Sequence, residues 1–428
     1  MDKFIIEGGV PLVGEITPGG NKNAALPMLA AALLTEETIT LHNVPDIRDV
    51  RDMRQLITSL GVDVEDIGNK SWRVTAKNIQ PSKLDPDLCS RIRASILLAG
   101  PMLARAGEIH LPPPGGDVIG RRRLDTHFLA LKALGAEVTY RRALDFQAPK
   151  RMRGADILLD EASGTGTENA VMAAVTAKGT TILRNCTSEP HVQELCHLLV
   201  RTGAKISGIG SNTLFIEGVD KLHSADFAIG PDYLEVVSFI GAAVVTNGAI
   251  RIKNAGPGYL DMIRMVFKRL GVNWNVEGED IIVPAKQRRK IEPDLGGFIP
   301  EIKTNIWPAF PTDLMSIAIV VATQSKGSVL FHNWMFEGRM YFTDKLKSMG
   351  AQIILCDPHR CIVNGPTRLF GEKVESPDIR AGMSLLLAAL AAEGTTTIRN
   401  INQIDRGYER VDEKLISLGA RIERVVEK

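Results

Sequence analysis

Several short stretches of this sequence put cations where a chain could grip an anion. They are Gly19-Gly20-Asn21-Lys22-Asn23, Gly115-Gly116-Asp117-Val118-Ile119-Gly120-Arg121-Arg122, Phe336-Glu337-Gly338-Arg339, Asp378-Ile379-Arg380 and Asp405-Arg406-Gly407-Tyr408-Glu409-Arg410. In the first, two glycines let the backbone approach a ligand and Lys22 adds a full positive charge. It stands where a helix is expected to begin, and the free N–H groups and dipole of a helix start favour an anion. Arg380 also stands at an expected helix start, where its charge opposes the local dipole and so needs another purpose. Taken singly, each cation reads as a solvated surface charge. Together they suggest convergence on a phosphate and a carboxylate, which guanidinium forks bind bidentately. One carboxylate stands among them: Asp313, in Pro308-Ala309-Phe310-Pro311-Thr312-Asp313, reads first as a helix cap.

The elements that must carry these residues repeat. Leu60-Gly61-Val62, Leu134-Gly135-Ala136, Thr202-Gly203-Ala204, Leu270-Gly271-Val272, Met349-Gly350-Ala351 and Leu418-Gly419-Ala420 mark helix ends, their glycines 74, 68, 68, 79 and 69 residues apart. Upstream of each lies a short β-branched strand, in five cases ending in asparagine: Thr38–Asn43, Thr180–Asn185, Ala249–Asn254, Ser328–Asn333 and Thr395–Asn400. The second copy substitutes Glu108–Pro114. Before each strand comes a small-residue apolar segment of helical length, at 23–34, 93–105, 168–178, 234–246, 313–324 and 380–392. The expected unit is strand, buried helix, strand, amphipathic outer helix, strand. A period near seventy exceeds the roughly 20–50 residues of solenoid repeats. It favours an α/β protein of two lobes, each built from three such units around an anion-binding cleft. The first lobe is expected over 22–230, with a mobile loop at 115–123, and the second over 1–21 and 231–428.

Composition sets the outer limits. Hydrophobic residues are 44% and charged residues 24%, with a formal net charge of +1. That balance suits a globular enzyme and argues against a nucleic-acid platform or a polybasic membrane binder. Apolar runs such as Ala24–Leu34 and Leu385–Ala392 are too short to span a bilayer. Five scattered cysteines without a paired spacing predict reduced thiols in the cytoplasm, not a disulfide frame or a zinc site. A homo-oligomer is left open.

Asn21-Lys22-Asn23-Ala24-Ala25, Arg93-Ala94-Ser95, Pro308–Asp313, Phe336–Arg339 and Asp405–Arg410 together resemble the bacterial enolpyruvyl transferase family, over essentially the whole chain. The resemblance implies an inside-out α/β barrel in each lobe. It implies transfer of the enolpyruvyl group of phosphoenolpyruvate to the 3-hydroxyl of UDP-N-acetylglucosamine, the first committed step of peptidoglycan synthesis, by addition and elimination with no metal or organic cofactor. By motif match Asp313 is the base and Asp117 the general acid, at a position where many members carry cysteine. Lys22, Arg122 and Arg406 would face the phosphate, Arg339 and Arg380 the carboxylate, and Asn23 the phosphoenolpyruvate side. Arg93 would reach the nucleotide sugar. The uridine would lie against Arg122, Arg123, Leu124, Asp125 and Thr126, helped by Glu161, Ala162, Ser163, Gly164 and Met335.

Three departures bear on the acceptor. Arg123 replaces the family's usual proline, Tyr233 stands where Pro-Asp-Arg is commoner, and Glu292–Asn305 is longer than typical. The alternatives are transfer to shikimate 3-phosphate or to another nucleotide, and a non-catalytic paralogue that binds a nucleotide sugar. The Gly115–Arg122 loop and the Asp405–Arg410 run favour the nucleotide-sugar enzyme.

Overall fold

The structure, a computed structural model, describes residues 2–117 and 119–426, so residue 118 of the expected loop lies outside the described residues. By contacts the chain divides into a C-terminal unit (Met1–Gly19, Val118–Arg121 and Pro231–Lys428) and an N-terminal unit (Gly20–Asp117 and Arg122–Gly230). Each unit has one hydrophobic core of its own.

The repeat is present in both units. Each glycine of the helix-end marker has the left-handed backbone that stops a helix, with φ of 90°, 101°, 100°, 79°, 104° and 99° along the chain. The unit holds one strand more than the sequence suggested, because the outer helix is followed by a hairpin. In the fifth copy Glu301–Lys303 pairs in parallel with Gly327–His332, across the inner helix Met315–Thr323. Gly327–His332 pairs antiparallel with Arg360–Gly365, which pairs with Gln352–Asp357. The hairpin strands are short, and some carry apolar residues on their solvent side, such as Ile354 and Phe215, so they offer too little alternation to be read separately. Among the described residues, five of the six sheets have four strands. The second has three, because the short helix Pro86–Arg91 and 3-10 turns fill the stretch before its inner helix. Lys3–Glu7 completes the sixth sheet between Thr395–Arg399 and Arg421–Val425.

The marker asparagines fasten neighbouring strands. Asn43, Asn185, Asn254 and Asn400 are left-handed, a conformation that asparagine tolerates and that turns the chain off the sheet. Three of them donate their amide to the end of the adjoining strand segment: Asn43 to the Ile229 carbonyl (2.9 Å), Asn185 to Leu159 (3.0 Å) and Asn400 to Ser376 (3.0 Å). Asn333 does not follow this pattern.

Small residues let the inner helices meet. A Cβ on Gly241, in the helix Tyr233–Val245, would fall 2.8 Å from both Ile317 Cγ2 and Leu387 Cδ2 on the other two inner helices of that unit. Gly241→Val should therefore overpack this core and lower stability by about 1–3 kcal/mol. The check is the urea midpoint, and an unchanged midpoint would contradict this packing. Among the described residues no helix is long and apolar enough to cross a membrane.

Candidate active site

In the N-terminal unit, Asn21 caps the helix Lys22–Ala31 through its side-chain oxygen, which accepts from the Asn23 N–H at 2.9 Å. Lys22 is the first residue of that helix, and its Nζ lies 2.7 Å from Asp49 Oδ2, both side chains being almost fully buried. Asp49 comes from the outer helix Arg48–Ser59, so two elements fix one ammonium group. A desolvated cation held at a helix start suits an incoming phosphate.

The two segments expected to hold a nucleotide are joined in the same unit. Asp160 accepts from Thr126 Oγ1 (2.8 Å) and from Arg123 Nη2 (2.8 Å), and Arg123 Nε also reaches Asp125 at 3.2 Å. Leu124 between them is half-buried. Beside Asp160, the Ser163 N–H donates to the Glu161 carbonyl, and Ser163 Oγ caps the helix Gly164–Ala174 by accepting from the Gly166 N–H. Ala162 and Gly164 flank that cap and are partly exposed. Arg93 braces the first segment from below, its Nη2 donating to the carbonyls of Arg122 (2.8 Å) and Arg123 (3.2 Å). Burial, followed by the charge of Arg122, pulls the Arg93 guanidinium down to about 10. His127 behind this loop is fully buried, and burial followed by the charge of Arg93 holds it at about 3, so the imidazole is neutral. A Cβ on Gly116 would lie 2.9 Å from Arg93 Cβ and 3.2 Å from Arg122 Nη1, which places the backbone before Asp117 against both arginines.

The C-terminal unit gathers Asp313, Arg339 and Arg380. Arg339 Nη2 donates to Asp313 Oδ1 at 2.6 Å and Arg380 Nε to Asp313 Oδ2 at 3.3 Å. Asp378, at the start of the inner helix Ile379–Ala391, caps it through the N–H groups of Arg380 and Ala381 and also lies 3.5 Å from Arg339 Nη1. Burial works against the Arg380 charge, but Tyr408, Asp313 and Asp232 outweigh it and hold the guanidinium above its ordinary value. The group packs over the Tyr408 ring, whose hydroxyl lies 3.1 Å from Ser238 Oγ. Arg380 Nη1 and Arg339 Nε are buried donors with no acceptor among the described residues. Buried donors of this kind suit a bound carboxylate or phosphate.

Asn21, Ser163, Asp232 and Asp378 supply side-chain caps to four inner helices. Neither the 3-10 turn Thr312–Leu314 nor the helix Met315–Thr323 has a side-chain cap bond at its capping residue. Asp313 turns its oxygens to two arginines instead, so its place at a helix start is not explained by capping. Arg406, half-buried at the end of the 3-10 turn Ile401–Arg406, reaches Gln403 Oε1 at 3.0 Å. The preceding Asp405 is held by both amino groups of Arg424 at 2.9 Å. The Met335 N–H donates to Asn333 Oδ1 at 3.3 Å.

A model of the EPSP synthase (3-phosphoshikimate 1-carboxyvinyltransferase) family matches residues 6–415. The chain belongs to this family of enolpyruvyl transferases. It is 58% identical over 426 residues, all of this chain and 99% of the relative, to a protein of Bradyrhizobium diazoefficiens named UDP-N-acetylglucosamine 1-carboxyvinyltransferase. A protein of the same name from Treponema denticola is 54% identical, with 99% of each chain covered. Among solved structures, the enolpyruvyl transferase NikO from Streptomyces tendae matches with a TM-score of 0.89 at 24% identity, covering 100% of this chain and 99% of that one. An EPSP synthase from Acinetobacter baumannii matches with a TM-score of 0.76 at 18% identity over 100% of both chains. At those identities the likeness speaks for the enolpyruvyl-transferase fold alone, the inside-out arrangement expected from the sequence.

Sequence reading missed Asp49, Asp160, Asp378 and Asn333, the acceptors that hold the cations and the site loops in place. Asp49 and Asp160 sit in segments that read as ordinary surface, and only tertiary contact brings them to Lys22 and Thr126. The asparagine recurring at strand ends was a visible signal for Asn333, although its role in the fifth copy was not.

Proposed function

We propose that this chain transfers the enolpyruvyl group of phosphoenolpyruvate to the 3-hydroxyl of UDP-N-acetylglucosamine, releasing phosphate, as a cytoplasmic step of peptidoglycan synthesis. The observation that carries the reading is identity of 58% and 54%, over full length, to relatives bearing that activity in their name. In support, the charged residues that the resemblance assigns to the site are all present in this chain: Lys22, Arg93, Asp117, Arg122, Asp313, Arg339, Arg380 and Arg406. Both units contribute to that set.

The chemistry follows from the groups available. Asp313 takes the proton of the 3-hydroxyl while the sugar oxygen bonds to C2 of phosphoenolpyruvate, and Asp117 delivers a proton to C3. The product of that addition is a tetrahedral phospholactyl ketal. Loss of a proton from the new methyl group and cleavage of the C2–O bond to phosphate then restore the double bond. The ketal keeps the phosphate and the carboxylate of phosphoenolpyruvate on one tetrahedral carbon, and Lys22, Arg122 and Arg406 at the phosphate and Arg339 and Arg380 at the carboxylate hold that crowded anion. Arg123, Leu124, Asp125, Thr126 and residues 161–164, with Met335, receive the nucleotide.

Phosphate release from phosphoenolpyruvate, measured separately with UDP-N-acetylglucosamine, shikimate 3-phosphate and UMP, tests the acceptor. Release with the first alone is expected. Release with shikimate 3-phosphate alone would assign the chain to the other acceptor, and release with none would leave a non-catalytic binder.

A further inference from the structure

The asparagine of the fifth repeat has contacts unlike those of Asn43, Asn185 and Asn400. Asn333, fully buried at the end of Gly327–His332, uses its carbonyl oxygen to accept from Thr304 Oγ1 (3.2 Å), Thr312 Oγ1 (3.1 Å) and the Met335 N–H (3.3 Å). Its backbone is pinned as well: its N–H donates to the His359 carbonyl at 2.8 Å, and its own carbonyl lies 2.8 Å from His359 Nδ1. One rigid amide therefore ties the residue before Asp313 to the loop that carries Met335 and Arg339. The other end of the amide, Nδ2, is buried and without a partner among the described residues, as is Arg339 Nε. Both residues line a cavity of about 10 Å³, together with Thr312, Ser316 and Asp378. Met315, Phe342 and Ala381 complete its lining, and a cavity of this size has room for one water, which needs two to four polar partners and finds them on the Asn333 and Arg339 side.

We propose that Asn333 is a positioning residue for enolpyruvyl transfer, clamping the Thr312–Asp313 turn to the Met335–Arg339 loop and, through one water in the adjoining cavity, steadying Arg339. The proposal rests on the reading of the function above, in which Asp313 and Arg339 meet the reacting groups. Asn333 itself touches neither substrate. It acts by holding the base and one carboxylate-binding arginine in register, and misplacement by as little as ~1 Å costs about 10²-fold in rate.

The test is a double-mutant cycle on kcat with wild type, Asn333→Ala, Thr312→Val and the double variant. Asn333→Ala should lose about 10–100-fold in kcat. Thr312→Val, which removes only the hydroxyl that the amide holds, should lose several-fold. The double variant should be no slower than Asn333→Ala within a factor of about two, because the hydroxyl has nothing left to grip. Losses that multiply would mean that the two residues act independently and would overturn the clamp, as would a Thr312→Val enzyme with wild-type kcat. The second outcome decides the matter even if Asn333→Ala does not fold. A wild-type protein that transfers no enolpyruvyl group would instead sink the functional reading. A crystal structure of the wild type should show one solvent peak within hydrogen-bond distance of Asn333 Nδ2 and Arg339 Nε, and a dry cavity would overturn the water bridge.

Discussion

Replacing Asp313 by alanine is expected to leave UDP-N-acetylglucosamine binding in place and to lower kcat by about 10²–10⁴-fold, the usual contribution of a positioned base. The carboxylate is only a quarter exposed and is fixed by Arg339 and Arg380 through its two oxygens. A helix cap would behave differently, since losing one costs about 0.5–2 kcal/mol of stability and leaves turnover largely alone. Titration calorimetry with the nucleotide sugar, beside steady-state turnover, separates the two. Wild-type turnover with a lowered melting temperature would return Asp313 to a purely structural role. Removal of the carboxylate also leaves Arg339 and Arg380 facing each other without their shared anion, so some tightening of phosphoenolpyruvate binding is expected alongside the lost rate.

The second large effect concerns fosfomycin, an epoxide phosphonate that alkylates a loop cysteine in relatives that carry one. This chain should remain active and carry no adduct after prolonged exposure. Epoxide opening needs a strong, soft nucleophile, and the position is held here by Asp117, whose carboxylate is a far weaker one than a thiolate. No other cysteine substitutes for it. Burial pushes the thiols of Cys89, Cys186, Cys196 and Cys361 up to about 12, and the exposed Cys356 lies on the strand Gln352–Asp357, outside the site residues. Asp117→Cys should convert the enzyme to one that is inactivated with time and gains the mass of one inhibitor molecule at residue 117. An adduct on any residue of the wild-type 115–123 loop would contradict this account. So would an active Asp117→Cys variant that is never labelled.

Much of the architecture was legible because it rests on local rules applied six times. Gly61, Gly135, Gly203, Gly271, Gly350 and Gly419 stop helices through a left-handed residue, and that requirement is visible in sequence. The inner helices were legible from small apolar runs, although 93–105 resolves into the 3-10 stretch Arg93–Leu98 followed by Ala99–Arg105. The return strands of the hairpins were not legible, because strands such as Trp72–Thr75 are four residues long and carry little periodicity. The site was legible as a list of cations and carboxylates but not as pairs. Whether Asp313 caps a helix or faces two arginines depends on Arg339 and Arg380, 26 and 67 residues further on. Asn333 shows the same limit: the strand-end asparagine repeats in sequence, and only tertiary contact reveals that this copy accepts from Thr312, the residue before Asp313.

The central claim is transfer of an intact enolpyruvyl group to one hydroxyl, and the fate of the substrate carbon reports on it directly. Phosphoenolpyruvate isotopically labelled at C2, incubated with the protein and UDP-N-acetylglucosamine, should yield by NMR a labelled vinyl ether carbon coupled to the proton at C3 of the sugar, with one phosphate released per ether formed. Label recovered only as phosphoenolpyruvate, or as pyruvate from simple hydrolysis, would contradict the account.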